Sequence, residues 1–141
     1  MNIALYHLSE SNDIKVLHPQ IPENGLAMYE ELITPRVCFS DSVNGCLSAI
    51  QQGGELYYYV YVPVNDELKF IIPTKDQVCD AFLTGEVWML HDVDVKCIGV
   101  IKTSGNYNII NRISIINRIG KKDTVALYEY DWRWIDKYEG E

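Results

Sequence analysis

Within Val125 to Ile135, apolar and charged side chains alternate strictly from Tyr128 to Trp134. Tyr128, Tyr130, Trp132 and Trp134 share one parity, and Glu129, Asp131 and Arg133 share the other. Successive strand residues point to opposite faces, so this pattern predicts a half-buried β-strand. A helical period marks Val43, Cys46, Leu47 and Ile50, which follow i, i+3, i+4, i+7. It predicts a helix capped by Ser40 or Asp41 and stopped by Gly53. Leu56 to Pro63, LYYYVYVP, is apolar at both parities and predicts a central strand. Further strands are expected at Asn2–Ser9, Val37–Phe39, Leu68–Ile72, Glu86–Leu90 and Val95–Lys102. Residues 10 to 26 are polar, with Pro19, Pro22 and Gly25, and predict a long loop. Met28–Ile33 suits one helical turn, and Lys75–Leu83 a short helix or ordered loop carrying Phe82.

Residues 108 to 119, NIINRISIINRI, write IINRI twice with one serine between the copies. Six isoleucines in these eleven residues from Ile109 are costly in a helix and favourable in a strand. The repeat of six is even, so on a strand Arg112, Ser114 and Arg118 share a face. At about 3.3 Å per residue the two arginines would stand roughly 20 Å apart. That is too far to grip one diphosphate from a single strand. Either one arginine serves each site, or strands of two subunits each contribute one.

These elements predict an α+β fold, a mainly antiparallel sheet with one clear helix and one or two short helices. The 141 residues are read as a single domain, 1–141, with enough chain for a hydrophobic core. No apolar run approaches the roughly 18–20 residues needed to span a bilayer. The N-terminus MNIALYHLSES lacks the basic start and apolar length of a signal peptide, so the cytoplasm is expected. Cys38, Cys46, Cys79 and Cys97 form no CxxC pair and are read as reduced thiols, with no metal site. The β-branched strands after residue 95 are suited to pairing with a second copy.

The formal net charge is -8, with a pI near 4.8. That argues against wrapping a DNA or RNA polymer. Yet Val95 to Lys122 contains no acid, while Lys96, Lys102, Arg112, Arg118, Lys121 and Lys122 lie within it. The remainder holds all 20 acids against six bases. A cationic island in an acidic protein is either a solvated face or a site for one compact anion.

Residues with chemical potential are few. The chain has no Gly-rich phosphate loop, GxSxG or HExxH. His7 ends the first strand and either bonds nearby backbone or serves a nucleotide. Phe82, in DAFLTGEVW, is either a core plug or a stacking platform for a base, with Thr84 and Glu86 placed to reach ribose hydroxyls. Arg36 and Ser40 precede the helix, whose unpaired N–H groups suit an anion. For Arg36 the bland alternative is a surface salt bridge.

The strand ALYHLS, the segment RVCFSDSVNGCLSAI, the connection PTKDQVCDAFLTGEVWML and the closing YEYDWRWI together resemble phage-encoded Thoeris anti-defence proteins of the first type. The likeness is of order and spacing over most of the chain. It implies a sponge in the cytoplasm of the infected bacterial host. Such proteins sequester, without cleaving, the cyclic ADP-ribose isomers that TIR-domain proteins make from NAD. The resemblance further implies homo-oligomers, dimers or assemblies of dimers, with nucleotide pockets between protomers. Cyclic di- or trinucleotides would occupy separate sites. Phe82 would be the stacking aromatic, and Arg112 or Arg118 the phosphate ligand. No cofactor, metal or membrane is implied.

Two other readings remain open. The order His7, a tyrosine within 57–61, then Glu86 is that of an ADP-ribosyltransferase-like enzyme using NAD. The acidic majority surface would equally suit an inhibitor that binds a basic protein.

Overall fold

Ser42 starts the helix. Its Oγ accepts the N–H of Gly45 at 2.9 Å, the geometry of an N-cap satisfying an unpaired amide of the first turn. The expected caps, Ser40 and Asp41, lie just before it; Ser40 Oγ instead receives the N–H of Ser42 at 3.3 Å. In this computed structural model residues 4–21, 33–50, 56–65, 69–74, 77, 84–116 and 120–139 are described. Among them are one helix, α1 (Val43–Ile50), and seven strands. The strands are β1 (His7–Ser9), β2 (Val16–Leu17), β3 (Val37–Ser40), β4 (Leu56–Pro63), β5 (Glu86–Met89), β6 (Val93–Ile116) and β7 (Lys122–Lys137).

Every pairing between these strands is antiparallel. The larger sheet runs β1-β4-β6-β2, with β7 also on β6, and β3 pairs β5 in a second, two-stranded sheet. This is the expected α+β architecture with a mainly antiparallel sheet. The tyrosine-rich β4 is central, flanked by β1 and β6, as its two apolar faces require.

Two cores follow. Leu5, Val37, Phe39, Tyr61, Val87, Met89, Val93 and Val95 close the space between the two sheets. The apolar stripe of α1, Val43, Cys46 and Leu47, is buried with Leu8, Tyr58, Val60, Ile101 and Tyr130. Each such aliphatic side chain contributes about 1.5–3 kcal/mol when fully buried. Trp132, Trp134 and Tyr128 pack on this second core, while Glu129, Asp131 and Arg133 stay exposed, as their alternation predicts.

Some expectations need correcting. The stretches read as separate strands at 95–102 and 108–119 belong, as far as Ile116, to one strand of 24 residues, β6. Residues 10–26 are not wholly loop, because Val16 and Leu17 pair with Asp94 and Val93. Tyr61 pins this segment, its hydroxyl donating to Ser11 O at 2.6 Å. Within Leu68–Ile72, the described residues contribute one isolated bridge, Ile71 with Trp88, and no strand. Within Asn2–Ser9, the described residues 4–6 likewise add no strand beyond a bridge of Tyr6 to Ser40, and residues 2 and 3 lie outside the described residues. Apart from Ile33 and Gln77, the short helices expected at 28–33 and 75–83 lie outside the described residues, as does Gly53.

Beyond the body, β6 and β7 continue as a ribbon. Pairing of β4 with β6 ends at Leu56 and Thr103, and from Tyr107 onward β6 pairs with β7 alone. Tyr107 stands against Tyr128 edge-on, with centroids 4.9 Å apart. Ile109, Ile110 and Ile116 are 41%, 54% and 66% exposed.

Candidate functional site

Four of the expected ligand residues, His7, Ser40, Thr84 and Glu86, line one recess. β1 supplies His7 and Leu8, β3 supplies Cys38, Phe39 and Ser40, and α1 supplies the wall of Gly45, Cys46, Ala49 and Ile50. Thr84 and Glu86 enter from the start of β5. The cavity measures about 120 Å³. Ordinary small-molecule pockets run to roughly 300–1,000 Å³, so this one is too small to enclose a nucleotide alone.

Close approach of backbone holds the recess together. A side chain on Gly45 would collide with Thr84 O and Ser40 Oγ, so α1 can lie this near only with glycine there. Ser40 Oγ bridges the gap by donating to Thr84 O at 2.5 Å. Gly85 has φ +70°, and a Cβ on it would run into the Asp41 carboxylate. The Asp41 N–H in turn donates to Gly85 O at 3.2 Å. A non-glycine residue is strained in this left-handed region.

The polar groups face different constraints. His7 Nδ1 lies 3.0 Å from Cys38 O, which fixes the proton on Nδ1 and leaves Nε2 as an acceptor. Burial lowers the His7 pKa, opposed by this hydrogen bond. Glu86 is buried, and its Oε2 accepts the indole N–H of Trp88 at 2.6 Å. Cys46 donates its thiol to Tyr6 O at 3.2 Å, and burial pushes its pKa up to about 12. That keeps it a thiol at neutral pH.

The remaining expected residues lie elsewhere. Arg36 is not on the surface. It is buried, with its guanidinium 4.1 Å over the Trp88 ring and Nη1 donating to Thr34 O at 3.2 Å. A buried cation needs such compensation, and the indole face provides it. Arg112 is exposed on the ribbon opposite Ala126. Phe82 and Arg118 lie outside the described residues. Sequence reasoning missed Gly45 and Gly85, although a glycine in the first turn of a helix and one directly before a strand were visible signals. It also missed Trp88, which ties Glu86 and Arg36 together through the two sides of one indole.

Among the described residues no three His, Cys, Asp or Glu side chains are grouped to hold a metal ion. Among them, too, no helix is long and apolar enough to cross a membrane. Fold and recess together define an α+β protein with an antiparallel sheet and a small, largely apolar cleft edged by histidine, hydroxyl and carboxylate. Comparison with family models, with curated proteins and with solved structures finds no match.

Proposed function

We propose that this protein is a phage anti-defence sponge that binds and sequesters cyclic ADP-ribose isomers in the cytoplasm of the infected host, without cleaving them. The observation that carries the reading is the convergence of His7, Ser40, Thr84 and Glu86, expected separately from the sequence, on one recess. A recess too small for the ligand fits a pocket completed by another surface. The ribbon supplies a candidate surface, because it carries Arg112 and exposed isoleucines beyond the reach of β4. A two-stranded ribbon is only marginally stable by itself in water, so a second copy packed on it would support both the ribbon and the pocket. Phe82 stacks the base in this reading, and Arg112 or Arg118 holds phosphate. Cyclic di- or trinucleotides would occupy separate sites of the same homo-oligomer. Sequestration acts by mass action and calls for nanomolar affinity, about -12 kcal/mol.

The enzymatic alternative draws on the same geometry, since His7 and Glu86 line one cavity. Against it, Glu86 is engaged by Trp88 and His7 by Cys38 O. One experiment separates the readings. The protein is incubated with a cyclic ADP-ribose isomer, freed of unbound ligand, heat-denatured, and the released material identified. Intact ligand is the expected result. Cleaved or transferred ADP-ribose would establish the enzyme, and an empty protein would leave the acidic surface as a protein-binding inhibitor.

A further inference from the structure

Lys102 of β6 and Arg133 of β7 are directly opposed partners in the antiparallel ladder. Their side chains therefore leave the sheet on one face, with Cβ atoms about 5 Å apart, and like charges so placed repel. Tyr57 of β4, the partner of Lys102 on its other side, completes a row across three strands. Lys102 Nζ lies 5.4 Å from the Tyr57 ring centroid. Among the described residues Arg133 joins no ion pair.

Directly beyond this row the ladder loses register. Thr103 pairs with Trp132 but the next pair is Tyr107 with Tyr130, so Ser104, Gly105 and Asn106 stand opposite Asp131 alone. The surplus opens a groove of about 290 Å³ lined by residues 102–104 and 131–133. Ser104 Oγ accepts the Asn106 N–H at 3.1 Å, which leaves its own proton to donate. The groove thus offers two cations and a hydroxyl donor beside one carboxylate.

We propose that this groove binds a small phosphorylated polyol. Its phosphate sits between Lys102 and Arg133 with Ser104 donating, and a ligand hydroxyl donates to Asp131. The anion relieves the cross-strand repulsion, and guanidinium and ammonium donors match phosphate oxygens in charge and geometry. Asp131 disfavours a bare anion and favours one that carries a hydroxyl donor. None of these residues lines the His7 recess, so the site stands independently of the sponge reading.

The test is calorimetric titration of the full chain with ribose 5-phosphate and with inorganic phosphate at low salt. Wild type is expected to bind ribose 5-phosphate more tightly than phosphate. Arg133→Gln should weaken ribose 5-phosphate by tenfold or more, and Lys102→Gln with Arg133→Gln should abolish binding. Asp131→Asn should shrink the preference for ribose 5-phosphate over phosphate. The two variants that remove a cation should keep the wild-type melting temperature or exceed it. No binding by wild type, or unchanged affinity in the double variant, would overturn the site. An unchanged preference in Asp131→Asn would overturn the role given to the carboxylate.

Discussion

Asn44 Oδ1 accepts the backbone N–H of Tyr130 at 2.8 Å while its Nδ2 donates to Tyr128 O, also at 2.8 Å. One side-chain amide from α1 thus makes the pair of bonds that a neighbouring strand would make to β7. Ser48 Oγ adds a second donor to Tyr128 O at 3.2 Å. The helix is docked on the ribbon's base by polar reading of its backbone as well as by apolar burial. Asn44→Ala leaves the partly buried Tyr130 N–H without its partner, a loss worth about 1–3 kcal/mol when unsatisfied, while Tyr128 O keeps only the longer bond from Ser48. Urea unfolding should show a loss of about 2 kcal/mol or more, with the slope unchanged. A loss within experimental error would mean that water replaces Asn44 without penalty.

Gly45 tests how tightly α1 must approach Thr84. Gly45→Ala places a methyl against Thr84 O and Ser40 Oγ. Helix propensity alone would favour alanine by about 1 kcal/mol. Overpacking costs about 1–3 kcal/mol and should prevail here, because one of the opposing groups is backbone and cannot rotate away. The variant should melt below wild type and, if the recess holds ligand, bind it less well. A higher melting temperature would show that the helix moves freely.

His7 gives the pH dependence its sign. Burial lowers its pKa in the folded state below the ordinary 6.5, so the unfolded chain takes up a proton first. The His7 contribution to stability is full above about 6.5 and declines as pH falls through the ordinary value toward the lowered one. His7→Asn keeps a donor for Cys38 O but removes the titration. Urea melts at neutral pH and at pH near 5 should show a larger acid loss in wild type than in this variant. Parallel losses would mean that His7 does not carry the acid sensitivity.

The sheet, the helix and the alternating closing strand were legible because each rests on a period of apolar residues. The Tyr128-to-Trp134 face is a local signal that tertiary structure had only to accept. The pairing of Val16 and Leu17 with β6 was not legible, since two residues carry no period and a tertiary contact through Tyr61 holds their segment. Arg36 misled for a related reason: it lies near a helix start in sequence, but the Trp88 face that buries it lies 52 positions away. Convergence of His7, Ser40, Thr84 and Glu86 required knowing that β1, β3 and β5 meet. Composition alone could nominate those residues but could not assemble them.

Cys46 should report global unfolding. With its pKa pushed up to about 12 and its thiol held on Tyr6 O, the thiolate population at neutral pH is negligible. A thiol reagent should modify Cys46 only through opening of the fold, at a rate that rises with urea in step with unfolding. Rapid labelling in native buffer, located by peptide mapping, would contradict the buried helix face. The partly buried Cys38 and Cys97 serve as internal comparisons.

The ribbon and its arginine carry the last prediction. If a second copy covers the exposed isoleucines, Ile110→Lys and Ile116→Lys should reduce the mass measured by light scattering. As surface substitutions they should leave protomer stability within about 0.5 kcal/mol. Phe82→Ala should weaken ligand retention by about 1–3 kcal/mol, the usual contribution of a base stacked on an aromatic ring. Arg112→Ala should remove about 1.5–3 kcal/mol, as for a hydrogen bond to a charged group. The two classes of variant separate the assembly from the ligand site. Lysine substitutions that lower the mass should also lower retention, because the recess of about 120 Å³ is incomplete alone. Full retention by a monomeric Ile110→Lys protein would refute the shared pocket and leave a site within one chain.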